Sequence, residues 1–132
     1  MSNYKEELLA QLTANTSQIC IIADSLKYHP IAKHLIAQLV RSGSASSLIY
    51  AESIDAESIK DLIHKLALVQ KELRETKTNL IILSQLKLSS SLVERISTSL
   101  TETDSHLAQI SQGLITLRAK HRQYLQEKSN ER

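Results

Sequence analysis

The chain has 132 residues and a net charge of +2, with one proline, two glycines, one cysteine and neither phenylalanine nor tryptophan. That length implies a single domain with a modest core. The scarcity of Gly, Pro and aromatic residues excludes turn-rich sandwiches and barrels. The lone Cys20 excludes a disulfide framework or a multi-cysteine zinc site and fits a reducing cytoplasm. The opening Met1-Ser2-Asn3-Tyr4-Lys5-Glu6-Glu7 lacks the basic and then apolar order of a signal peptide, and no apolar run is long enough to span a bilayer.

Four helices follow from hydrophobic phase, at about 4–27, 30–53, 56–86 and 91–125. The first carries Leu8, Leu12, Ile19, Ala23 and Leu26 in one phase across the polar stretch Thr13 to Ser17. It therefore reads as one helix, with Asn3 and Glu6 as its capping pair. Pro30 suits the first turn of the second helix, whose face carries Ile31, Leu35, Leu39, Ser42, Ser46 and Ile49. The two mid-stripe serines admit a close neighbouring backbone and can bond back to a carbonyl one turn earlier.

Asp55 is the expected cap of the third helix, with Glu57 in its first turn. The stripe of that helix is Ile59, Leu62, Leu66, Val69, Leu73, Leu80 and Leu83. Ser91-Leu92-Val93-Glu94 reads as a capping box for the fourth, which carries Leu92, Ile96, Leu100, Leu107, Ile110, Leu114, Leu117 and, at its end, Leu125. The polar tail 126–132 is expected to fray. Short connections between long amphipathic helices imply an all-α, up-down-up-down antiparallel four-helix bundle.

No catalytic, cofactor or metal site is expected. Asp61-Leu62-Ile63-His64 has the i, i+3 spacing of a di-metal bundle ligand pair but stands alone, and His64 points off the apolar stripe. His29, His34, His106 and His121 have no ligand spacing with one another. Cys20 lies beside the stripe of the first helix, where a buried, inert thiol is expected. The serines lack a nucleophile-elbow context, and there is no glycine-rich phosphate loop.

Charge falls in blocks. Glu52, Asp55, Glu57 and Asp61 make the second turn acidic, and 118–132 is basic. In an antiparallel bundle the opposite end collects Lys27, His29, Lys33, Lys77 and Lys87, a mildly basic surface that assembly would multiply. Lys27, Lys33, Lys77 and Lys87 are therefore the candidate nucleic-acid contacts, and an ordinary solvated surface is the alternative. On the outward face of the third helix, His64, Leu68, Lys71, Glu75 and Ile82 form a candidate oligomer interface. Ile21 and Leu48 also face outward, and Ile36 and Val40 widen the second stripe.

The stretch from Leu39 to Thr76 resembles the four-helix-bundle family encoded in intervening sequences of bacterial 23S ribosomal RNA genes. The matching elements are Leu39-x-Arg41-Ser42-Gly43-Ser44, Tyr50 to Ser53, Asp61 to Leu66 with Leu62 where the family has Phe, and Lys71-Glu72-x-x-Glu75-Thr76. Ser47-Leu48-Ile49 and Asn79 depart from the pattern. The resemblance implies no enzymatic activity, no catalytic residue and a ring-shaped homo-oligomer, often a pentamer. It also implies kinship with the accessory variability determinants of diversity-generating retroelements, basic pentameric bundles that bind nucleic acid. The expected function is thus a cytoplasmic, homo-oligomeric interaction module acting on RNA or DNA. The alternative is a structural or protein-binding scaffold with no nucleic-acid role.

Overall fold

The computed structural model describes residues 3–131. Four helices, α1 (Tyr4–Ser25), α2 (Ile36–Ile54), α3 (Ile59–Ser84) and α4 (Ser90–Asn130), are joined by short turns, with a 3-10 turn at Ala32–His34 between α1 and α2. Each helix packs on its neighbours in sequence, and α1 closes the ring against α4 along the loosest seam. Cross-bundle pairs fix the directions. Gln70 reaches Ser111 while Lys77 reaches Asp104, so α3 and α4 run antiparallel. Tyr4 reaches Gln109 while Asn15 reaches Thr103, so α1 and α4 do too. The protein is a four-helix bundle, and no helix among the described residues is long and apolar enough to cross a membrane.

The inward stripes keep a 3-and-4 spacing without a gap once polar residues are counted. Leu8, Leu12, Asn15, Ile19, Ile22 and Leu26 are buried along α1, and Leu66, Val69, Leu73, Thr76, Leu80 and Leu83 along α3. This is the knobs-into-holes spacing of antiparallel bundles. On α4 the same rhythm buries Ile96, Ser99, Thr103, His106 and Ile110. The apolar core therefore divides in two. One cluster holds Leu8, Leu12, Tyr50, Leu66, Val69, Leu73, Ile110 and Leu114, and the other holds Ile19, Ile22, Leu26, Ala32, Leu39, Leu80, Leu83 and Ile96. A polar waist of Asn15, Ser42, Ser46, Ser47, Thr76, Ser99, Thr103 and His106 lies between them.

Helix starts differ from the sequence reading at three places. Pro30 and Ile31 precede α2 instead of opening it, because His29 Nδ1 accepts from the backbone N–H groups of Ile31 (3.2 Å) and Ala32 (3.0 Å) and holds a separate turn. Ile31 is consequently exposed. Ser58, not Asp55, caps α3. Its Oγ accepts from the Asp61 N–H, while Asp61 Oδ2 accepts from the N–H of Glu57, one residue before the cap. Ser89, not Ser91, caps α4 through the Leu92 N–H. The Asn3 cap of α1 is as expected, accepting from Glu6 N–H at 2.9 Å.

Where a fraying tail is expected from Gln126, α4 continues as helix through Asn130. Met1, Ser2 and Arg132 lie outside the described residues, Arg132 being the last position of that tail. Cys20 is exposed, not buried: it follows Ile19 by one residue, which turns it out of the inward stripe.

Candidate functional site

The residues that carry the family resemblance meet one another across the α2–α3 seam. Arg41 Nη1 donates to Glu72 Oε2 at 3.1 Å, and its Nη2 pairs with Glu75. The charges of Glu72 and Glu75 raise the pKa of the guanidinium. Just inside this fork, Thr76 Oγ1 lies 2.8 Å from Ser42 Oγ and 2.9 Å from the Glu72 carbonyl. Ser42 bonds back to the Leu39 carbonyl and Ser46 to that of Gly43, satisfying both buried hydroxyls within their own helix.

The same small patch also brings α1 close. A Cβ on Gly43 would stand 3.1 Å from Ile19 Cδ1, and Thr16 Oγ1 donates to the Gly43 carbonyl at 3.0 Å and lies 2.7 Å from Ser47 Oγ. Arg41, Ser42, Gly43, Glu72, Glu75 and Thr76 therefore serve helix pairing.

The candidate interface on α3 is open in part. His64, Leu68, Lys71 and Ile82 are exposed, whereas Glu75 is half-buried and committed to Arg41. Ile82 and Glu75 border a shallow groove with Gln38, Arg41, Arg74 and Asn79. Leu68 is only 37 % exposed, less than Leu48 at 65 % or Ile115 at 62 %. Ile115 escapes sequence reasoning because it adjoins the inward Leu114, and a helical stripe does not distinguish a wide face from an outward neighbour.

Two of the four candidate nucleic-acid lysines are paired with carboxylates. Lys27 pairs with Asp24 at 3.0 Å and lies over the Tyr28 ring. Lys77 pairs with Asp104 at 2.7 Å, well inside α4 and away from the bundle end. Lys33 and Lys87 are exposed near the α1–α2 and α3–α4 turns.

Asp61 and His64 do not converge on a metal. Lys65 Nζ donates to both carboxylate oxygens of Asp61 at 2.8 Å. That contact, with the bond from the Glu57 N–H, holds the Asp61 carboxyl below its usual range and raises the Lys65 ammonium. No group of three or more His, Cys, Asp or Glu among the described residues is placed to hold a metal ion.

Two features escaped the sequence reading. Asn15, Ser99 and Thr103 form a buried chain at the α1–α4 seam: Ser99 Oγ donates to Asn15 Oδ1 (2.7 Å), Asn15 Nδ2 to Thr103 Oγ1 (3.0 Å), and Thr103 Oγ1 to the Ser99 carbonyl (2.8 Å). Outside this chain a polar groove of about 640 Å3 runs along the seam, lined by Gln11, Gln18, Glu94, Arg95 and Glu102. One turn along α4, His106 is fully buried, and neither ring nitrogen has a hydrogen-bond partner among the described residues. Glu102 Oε2 is 3.8 Å from Nε2. Burial pushes the imidazole pKa down, and Glu102 opposes the shift. The stripe spacing was the available signal, since Asn15 and His106 both occupy inward positions.

Comparison with known protein families, with curated proteins and with solved structures finds no match to this chain.

Proposed function

We propose that the protein is a self-associating four-helix-bundle interaction module that works by binding and not by catalysis. One observation carries this reading. Leu48, Leu68, Ile82 and Ile115 lie on the outside of helices whose inward stripes are already complete, so burial of the core gives no reason for them. Leu68 and Ile82 share the outward line of α3 with His64 and Lys71, whereas Glu75 is taken up by Arg41. In a closed ring, such as the pentamer the family resemblance implies, that line would meet a different surface of the neighbouring copy. The exposed thiol of Cys20 suits a reducing cytoplasm.

The test is light scattering after size exclusion, with circular dichroism alongside, on wild type and Leu68→Glu. The expected result is a wild-type mass several times that of one chain, and a smaller mass for the variant at unchanged helicity. A variant of unchanged mass removes the α3 face from the assembly. A wild type of single-chain mass removes the reading.

Lys33 and Lys87 support a second reading, nucleic-acid binding by the assembled end. With Lys27 and Lys77 held by carboxylates, any such binding would be weak per subunit and steeply salt-dependent. It should be lost in Lys33→Glu/Lys87→Glu. Absence of binding to single- and double-stranded RNA and DNA at low salt would leave the protein-binding scaffold.

A further inference from the structure

Past Leu114, its last fully buried residue, α4 continues to Asn130, about 24 Å further at 1.5 Å per residue. Its apolar stripe does not stop there. Leu117, His121, Tyr124 and Leu125 keep the helical spacing, yet Tyr124 and Leu125 are 53 % and 52 % exposed. Among the described residues α1 starts at Tyr4, behind its Asn3 cap, and the Tyr4 hydroxyl donates to Gln109 Oε1 at 2.7 Å. The described part of α1 therefore stops short of this stretch of α4. Where α1 starts, an apolar cleft of about 250 Å3 opens between Leu8, Tyr50, Leu62, Leu66, Ile110 and Leu117.

We propose that a second copy of this chain covers this surface. The projecting α4 segments would lie antiparallel about a twofold axis, each reaching the cleft at the foot of the other's bundle. The inference rests on the self-association proposed above and names a surface separate from the α3 face.

Three observations select this occupant. The first is direction. Within one subunit α1 runs antiparallel to α4, and a twofold-related α4 runs antiparallel as well, so it continues the seat that α1 leaves. The second is charge. The projecting segment carries Arg118, Lys120, Arg122 and Lys128 against Glu127 and Glu131, while Glu52, Asp55 and Glu57 surround the α2–α3 turn at the cleft's end of the bundle. A basic amphipathic helix thus faces an acidic rim. The third is self-complementarity. Helix and cleft lie at the same end of one chain, so one twofold operation satisfies both copies and closes the contact. A specific interface needs on the order of 1,200 Å2 of total buried surface, so the contact has to include the cleft rims as well as the two projecting segments.

The experiment is sedimentation of the full chain through a dilution series, comparing wild type with Tyr124→Glu/Leu125→Glu. Neither residue is buried in its own bundle, so helicity and melting should be retained. Self-association through this end should weaken at least about thirty-fold, as for a buried hot spot. Unchanged association overturns this inference and leaves the broader reading intact, whereas a wild type that is monomeric throughout overturns both.

A charge exchange keeps the test decisive should the first variant misfold. Lys120→Glu/Arg122→Glu and Glu52→Lys/Glu57→Lys should each associate poorly alone and recover when mixed, because only the mixture sets acid against base at both ends. Failure of the mixture to recover overturns the pairing.

Discussion

The α2–α3 seam and the α1–α4 seam hold one bundle together by different means. Across α2–α3, the Arg41 fork onto Glu72 and Glu75 sits at the surface, and the Ser42–Thr76 contact beneath it completes a close approach. Across α1–α4 the helices meet more loosely, the polar chain of Asn15, Ser99 and Thr103 is buried, and a polar groove opens outside it. One turn along α4 from Thr103, His106 is buried without satisfying either nitrogen. Polar residues in a core are stabilising when fully paired and costly when they are not. The first seam is therefore the stable spine of the fold, and the second is where it should open.

Substitutions can break or sharpen that contrast. The largest effect is expected at Ser46, which is buried among small residues that let helices approach. Ser46→Leu overpacks the site and should cost about 1–3 kcal/mol in urea unfolding. An unchanged or raised stability would mean that the tight packing is not tight. Asn15→Ala leaves the Ser99 and Thr103 hydroxyls short of a partner on the loose side. It should cost about 1–2 kcal/mol, with faster amide exchange in α1 and α4 than in α2 and α3.

His106→Leu should act in the opposite direction, stabilising by about 1 kcal/mol through removal of an unpaired buried group. It also carries a pH signature. The unfolded imidazole titrates near pH 6.5, and burial lowers the folded value. Below about pH 6.5 the unfolded state therefore takes up a proton that the folded state resists. Wild-type stability should fall as pH drops from about 7 to 5, and the Leu variant should lose that part of the slope. The smallest effect belongs to Arg41→Ala. Arg41 itself is more than half exposed although Glu72 is mostly covered, so melting should fall slightly at low salt and less at roughly 0.5 M salt.

The same contrast explains what was legible in the sequence. The apolar stripes, the continuity of α1 through its polar stretch and the buried role of Ser42 and Ser46 follow from helical phase and side-chain size. Caps were harder, because Asp55, Glu57 and Ser58 compete within four residues, as do Ser89, Ser90 and Ser91. Only the backbone geometry at Ser58 and Ser89 decides between them. The α1 and α4 members of the waist are hidden because a search for apolar residues passes over Asn15, Thr103 and His106, although each falls on the inward rhythm of its helix. The bare stretch of α4 was hidden because it depends on how far α1 reaches alongside it, a relation between two elements that neither sequence carries alone.

Self-association is tested most directly by sedimentation equilibrium of the unmodified chain over a hundredfold range of concentration at physiological salt. The outer aliphatics and the uncovered stripe of α4 predict a species heavier than one chain that dissociates on dilution or persists as a closed assembly. A single species at the mass of one chain across the whole range would contradict it.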